Sequence, residues 1–280
     1  LEAIHTIDDL LWAKENNPSL VKECLKEVTV MEDLETYLKW LSDNEVTTNV
    51  TVNLRRNRGR DLGIHPSSAC KKDVCLLKLY YECTGELEPY RAYDQKMQQI
   101  WDQGTLLHDL FQVHFNELYE DQFKDEVPLV DQQLHIKSHA DGIFTFTRVR
   151  IVLEMKSIKE GGNFGWAKVH DKPFEDNVRQ AHFYMYLENV PFAIIFYINK
   201  NNGEIKEHPV VFDEEIWAQM RDEVVLPVVD AVYNDGEMVK GTPGWHCRRC
   251  DFYRSCETAR RHKGRVKGAT ASSWGRRLRR

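Results

Sequence analysis

Ser138-His-Ala-Asp-Gly-Ile-Phe-Thr-Phe-Thr-Arg-Val-Arg-Ile-Val-Leu-Glu-Met-Lys-Ser157 is the stretch on which the fold turns. Residues 143–147 and 149–153 are rich in Ile, Phe, Val and Thr. Both arms therefore favour extended structure, and the stretch predicts a β-hairpin. Glu154 and Lys156 stand two residues apart and project from one face of the second arm. With Asp141 they bring two carboxylates and an ammonium into a small volume, which is costly to bury unless a cation shares the site. Two carboxylates can hold a hard divalent ion through oxygen, and a neighbouring lysine can position or polarise a water. Taken alone, the hairpin also allows a plainer reading, with Glu154 and Lys156 as a solvated cross-strand pair and Asp141 as a turn residue before Gly142.

Upstream, residues 95–120 form the longest helical pattern and contain Gly104-x-x-x-His108. Residues 125–137 lead through Pro128, Leu134 and Ile136 into the hairpin. Downstream, Gly161–Gly165 is a loop that lacks the Gly-Lys-Ser/Thr of a P-loop, and no such motif occurs elsewhere. Residues 173–189 read as a helix beginning at Pro173, with Gln180 and Tyr184 sharing a face. The apolar run 191–198 reads as a buried strand that Asn201-Asn-Gly203 turns into a partner at 204–212. Residues 213–233 read as a helix kinked at Pro227.

The outer parts differ in character. Residues 7–45 are acidic helices, the first two separated at Asn17-Pro18. A strand-like Thr47–Leu54 and a basic loop, Arg55–Arg60, follow, and a domain boundary is placed near residue 60. Ser67 or Ser68 is read as the cap of a helix carrying Val74, Leu77 and Tyr81 on its apolar side, in a segment that also holds Cys70, Cys75 and Cys83. Near the C-terminal end, Cys247, Cys250 and Cys256 are spaced C-x2-C-x5-C among largely polar residues. That spacing points to a metal or iron–sulfur centre whose fourth ligand comes from elsewhere, and thiolate spacing alone allows zinc or a cluster.

With 280 residues and 42% hydrophobic content, the chain can bury a full core. No run of about 18 apolar residues exists to span a membrane. The acidic first residues lack the order of a signal peptide, so the seven cysteines are read as thiols or ligands in a cytoplasmic protein. Residues 241–280 carry 12 Lys and Arg against 2 Asp and Glu, while the other 240 carry 26 against 42. A basic end on an acidic body suggests a polyanionic partner, with a solubilising tail as the alternative.

Taken together, His108 on a helix, Asp141-Gly142 and Glu154-Met-Lys156 on a hairpin, and Gln180-x-x-x-Tyr184 on a helix resemble the PD-(D/E)XK nuclease superfamily. The order is similar to its RecB/AddB-like branch, with the four-cysteine pattern of the CRISPR-associated nucleases, and the likeness extends to phage-type exonucleases. It covers about residues 65–257. The resemblance implies an α/β fold, a restriction-endonuclease-like mixed sheet flanked by helices. It implies a helical N-terminal extension over 1–60, a nuclease domain over 61–258 and a basic tail over 259–280. His108, Asp141, Glu154 and the Met155 carbonyl would bind Mg2+ or Mn2+, Lys156 would orient and help deprotonate the attacking water, and Gln180 and Tyr184 would steady the lysine and the substrate strand. Cys75, with Cys247, Cys250 and Cys256, would ligate a 4Fe-4S cluster serving as a structural staple; Cys70 and Cys83 remain alternatives to Cys75, and zinc an alternative to iron. A Ser at position 138 stands where many relatives have glycine, three residues before the aspartate.

The resulting expectation is a metal-dependent DNA exonuclease acting on single- or double-stranded ends in recombination or end processing. Its partners would be DNA and a recombinase or separate helicase, in a host cytoplasm if the protein is viral. Two rivals are a CRISPR-adaptation nuclease and a catalytically inactive, cluster-stapled DNA-binding protein. The acidic extension argues against the first, and the full set His108, Asp141, Glu154 and Lys156 against the second.

Overall fold

The computed structural model describes residues 1–52, 54, 61–90, 95–244, 246, 247 and 250–259. The basic loop Arg55–Arg60 and nearly all of the basic tail lie outside them. The chain folds as a mixed five-stranded sheet flanked by helices, with strand order β1-β2-β3-β4-β5. The strands are β1 (Phe123–Asp131), β2 (Ile136–Thr145), β3 (Arg150–Ile158), β4 (Phe192–Asn199) and β5 (Ile205–Val211). Strands β3 and β4 run parallel, and every other neighbouring pair is antiparallel. The parallel pair needs a long crossover, supplied by a helix over Glu175–Glu188.

Nine α-helices are described: α1 (Ile7–Asn16), α2 (Pro18–Lys26), α3 (Met31–Asp43), α4 (Pro66–Ala69), α5 (Leu76–Thr84), α6 (Gln95–Tyr119), α7 (the crossover), α8 (Glu214–Met220) and α9 (Leu226–Tyr233). No helix among the described residues is long and apolar enough to cross a membrane.

Alternation along the strands sorts the sheet into two layers. Phe123, Phe144 and Phe196 meet Phe111 or Phe115 of α6 on one face, with ring centroids 5.4–5.6 Å apart. On the other face Tyr197 accepts from Asn177 of α7 at 2.7 Å, and Glu154 accepts from Gln180 at 3.2 Å. Central β4 is buried at every residue, as its uninterrupted apolar run requires.

The acidic helices share the core of the sheet. Ile7, Leu10, Ala13, Leu20, Cys24, Val28, Val30 and Leu34 are buried in one cluster with the strands. Thr6 and Asp9 form a reciprocal capping box at the start of α1, and Asn17 caps α2 with Pro18 in its first turn. Arg148, in the β2–β3 turn, binds Glu27 at 2.6 Å and Glu23 at 3.3 Å.

Several sequence expectations need correction. Residues 47–52 and 54 form no strand, because no neighbouring strand offers them a ladder and β-propensity alone does not make one. The single helix capped by Ser67 or Ser68 is two pieces. Residues 70–75 interrupt it, α5 starts after Cys75 without a side-chain cap, and Ser68 donates to Glu82 instead at 3.3 Å. The helix at 213–233 is not simply kinked at Pro227. Its middle, Arg221–Val225, widens to a π-turn, a rearrangement that accommodates a ring with no N–H to give.

Candidate active site

Strands β2 and β3 pair over only four rungs, from Thr145↔Arg150 to Gly142↔Leu153. Beyond that point β2 continues along β1 and β3 along β4, so the sheet splits. Asp141 and Glu154 are the residues that would have formed the next rung. Both carboxylates therefore stand at the fork, where ladder hydrogen bonds are unmade and polar side chains can take their place. Asp141 Oδ2 accepts from the Met155 N–H at 2.5 Å, tying one side of the split to the other. Gly142, beside it, lies flat under an aromatic ring: a Cβ there would come within 2.3 and 2.4 Å of Phe123 ring carbons.

Glu154 is 1% exposed. Its Oε2 accepts from Gln180, whose Nε2 also reaches the Tyr184 hydroxyl at 2.6 Å. Its Oε1 faces the Lys156 ammonium and has no aligned hydrogen bond. The Ser138 hydroxyl approaches the Tyr184 hydroxyl at 3.5 Å. From the opposite layer α6 brings His108, with Nδ1 3.6 Å from Asp141 Oδ1. The structure thus gathers all six predicted side chains, from both helical layers and both arms of the hairpin, at one split in the sheet. His108 and Gln180 come from the two helices that sandwich it.

The charges are mutually dependent. Burial pushes the Glu154 carboxyl up to about 7, against the pull of Lys156. Burial acts the same way on Asp141, but His108 and Lys156 outweigh it and hold the acid below its ordinary value. Lys156 resists its own burial through Glu154 and Asp141, which raise its pKa and keep Nζ protonated. His108 is likewise raised: Asp141 overcomes the desolvation. The lysine is therefore the counter-ion of the buried glutamate.

No three His, Cys, Asp or Glu side chains among the described residues are grouped closely enough to hold a metal ion as they stand. The donor chemistry nevertheless suits a hard cation: two carboxylates, an imidazole and a backbone carbonyl, with one buried carboxylate oxygen that faces the Lys156 ammonium and has no aligned hydrogen bond.

A second cluster lies to the side of α5. Periodicity divides that helix: Leu79 and Cys83 enter the main core, whereas Leu77 and Tyr81 face a separate group containing Cys75, Cys247, Cys250, Cys256 and Phe252. The four thiols line one cavity of about 690 Å³. Cys70 and Cys83 belong to the main core, where burial pushes them up to about 11 and 12. No disulfide joins any of the seven cysteines. A donor set of four thiols is chemically suited to a tetrahedral metal or an iron–sulfur cluster.

Two positions escaped the sequence reading. Strand β1 was hidden by Pro128 and the charged run Lys124-Asp125-Glu126, and the proline is tolerated because β1 is an edge strand. Gln112, one helical turn beyond His108, is buried and bonded to the Asp141 carbonyl at 2.8 Å. Its spacing from His108 was the available signal. Lys168 and Lys172 are exposed and do not join the cluster.

No protein-family model matches the chain, and no curated protein matches it in sequence. Among solved structures it is similar to SSO0001, at 16% identity and a TM-score of 0.44, over 82% of this chain and 98% of that one. It is also similar to an alkaline exonuclease, LHK-Exo, from Laribacter hongkongensis, at 12% identity and a TM-score of 0.45, over 62% and 89%. The complex of LHK-Exo with dAMP gives 14% identity and a TM-score of 0.44 over the same shares.

Proposed function

We propose that this chain is a divalent-metal-dependent deoxyribonuclease that hydrolyses phosphodiester bonds from DNA ends. What carries the reading is the fully buried Glu154 opposite Asp141 at the split, neutralised by Lys156 and reached by His108 and Gln180 from separate layers. A structural ion pair needs no such convergence, and burying one gains little stability.

Asp141, Glu154, His108 and the Met155 carbonyl would hold Mg2+ or Mn2+. When bound, the cation supplies charge neutralisation at the phosphodiester and a lowered pKa for water. Lys156, released from Glu154, orients the attacking water by donating from Nζ. Gln180 fixes the Glu154 carboxylate and the Tyr184 hydroxyl together, so neither turns away as the lysine moves. The Arg-rich tail, with Lys168 and Lys172, supplies phosphate contacts of the sequence-neutral kind. Cys75, Cys247, Cys250 and Cys256 would hold a 4Fe-4S cluster, which would serve as a structural staple between α5 and the end of the domain, and a recombinase or separate helicase would be the chain's partner.

The test is digestion of end-labelled linear DNA and closed circular DNA with Mg2+ or Mn2+, comparing wild type with Lys156→Ala. Metal-dependent loss of linear DNA alone, abolished by the substitution, is the expected result. Cutting of circles would make the enzyme an endonuclease, and binding without cutting under either metal would overturn the enzymatic reading.

A further inference from the structure

The rung between β1 and β2 is also broken at the site. Asp125 pairs with Gly142 and Val127 with Ala140, but Glu126 and Asp141, which stand between them, are unpaired. Glu126 adopts a left-handed backbone, φ 45°, which a β-strand does not otherwise use. Asp141 is thus released from the ladder on both sides, and its carbonyl needs another donor. Gln112 provides it: Nε2 donates to the Asp141 carbonyl at 2.8 Å and to Glu126 Oε1 at 3.1 Å. Gln112 is 5% exposed and lies four residues after His108, so both project from the same side of α6. One side of the helix therefore grips Asp141 at two points, the carboxylate through His108 and the backbone through Gln112.

We propose that Gln112 is a positioning residue that sets the distance between His108 and Asp141, and with it the metal affinity of the site. The part concerning metal rests on the function proposed above. Without the amide, the unpaired rung at Glu126 and Asp141 relaxes toward α6 or away from it. The imidazole and the carboxylate then lose their fixed relation. Groups that orient metal ligands from behind affect affinity by about 10- to 100-fold, and Gln112 belongs to that kind.

The experiment compares wild type with Gln112→Met, which keeps the volume and removes the donor, and with Gln112→Asn, which keeps a donor one methylene short. Mn2+ affinity is measured by titration calorimetry, and the 15N shifts of the His108 ring are recorded in metal-free protein. The expected result is Mn2+ binding weakened about 10- to 100-fold in Gln112→Met, less in Gln112→Asn. The His108 ring signals should shift and broaden as the ring loses its fixed relation to Asp141. Affinity within twofold of wild type and an unchanged ring in a folded variant would overturn the proposal, leaving Gln112 a packing residue. If wild type binds no Mn2+ but the His108 ring still loosens in Gln112→Met, positioning stands and the metal reading falls. If the ring is unchanged as well, both fall.

Discussion

The acidic cluster at the sheet split and the thiol cluster beside α5 are assembled in opposite ways. Asp141, Glu154 and Lys156 lie within sixteen consecutive residues on two paired strands, and every charge among them has an opposite charge in reach. The four thiols come from positions 75 and 247–256, held together by Leu77, Phe252 and Ala259 and by short turns such as Cys256 N–H to the Phe252 carbonyl at 2.8 Å. A region built on strands can preorganise polar groups without any ligand. A region built on turns depends on whatever bridges its donors. Damage to the first should therefore remove chemistry, and damage to the second should remove structure.

The largest expected effect is on the first region: Lys156→Ala should lower nucleolytic turnover by about 100-fold or more, with far-UV circular dichroism unchanged. Activity within a few-fold of wild type would take the lysine out of the chemistry. The reverse pattern is expected for Cys256→Ser. Iron and sulfide content should fall together with the melting temperature, because metal-site binding energy of about 10 kcal/mol or more is folding energy. Cys83→Ser should retain its iron. Iron lost from Cys83→Ser and kept in Cys75→Ser would move the fourth ligand into the main core.

A third, smaller effect is the contribution of Glu154 to the pH dependence of stability. Glu154 is raised from 4.5 in its ordinary state to about 7 in the folded, metal-free chain. Between those values the folded state holds the extra proton, so stability should decline as pH rises from about 4.5 to about 7. Asp141, held low, acts in the opposite sense and only at more acidic pH. Urea midpoints in EDTA should show the decline in wild type and a flatter profile in Glu154→Gln. An equal slope in both would place the titration elsewhere. The smallest effect belongs to Tyr184→Phe, which removes a hydroxyl reached by Gln180 at 2.6 Å and should cost about 1 kcal/mol. A large loss of turnover at unchanged stability would show that the hydroxyl touches substrate.

The two regions were not equally legible. The hairpin was readable because its β-branched arms lie between an acid with a glycine and a charged pair at strand spacing, and each of those signals is local. The apolar run at 191–198 marked β4 as a buried strand, but its parallel pairing with β3 is a long-range contact that no local signal carries. The break in the ladder was not readable, since Glu126 in a left-handed conformation carries no sequence mark that distinguishes it from an ordinary surface acid. Gln112 was missed for a related reason: glutamine on an amphipathic helix ordinarily faces water. Among the N-terminal cysteines, three candidates lie within fourteen residues. Only the interruption between α4 and α5 and the phase of α5 separate Cys75 from Cys70 and Cys83. A helix running unbroken from Ser67 would have phased those side chains differently.

Gly142 carries a consequence for how the strand finds its place. Its bare α-carbon lies beneath Phe123 with no room for a side chain. A slip of β2 by one residue would bring Asp141 or Ile143 under that ring and turn every side chain to the wrong face. A misaligned strand would set a side chain against the Phe123 ring, at a steric cost independent of any ligand. Phe123 thereby penalises the slipped registers and favours the alignment in which the aspartate meets its glutamate.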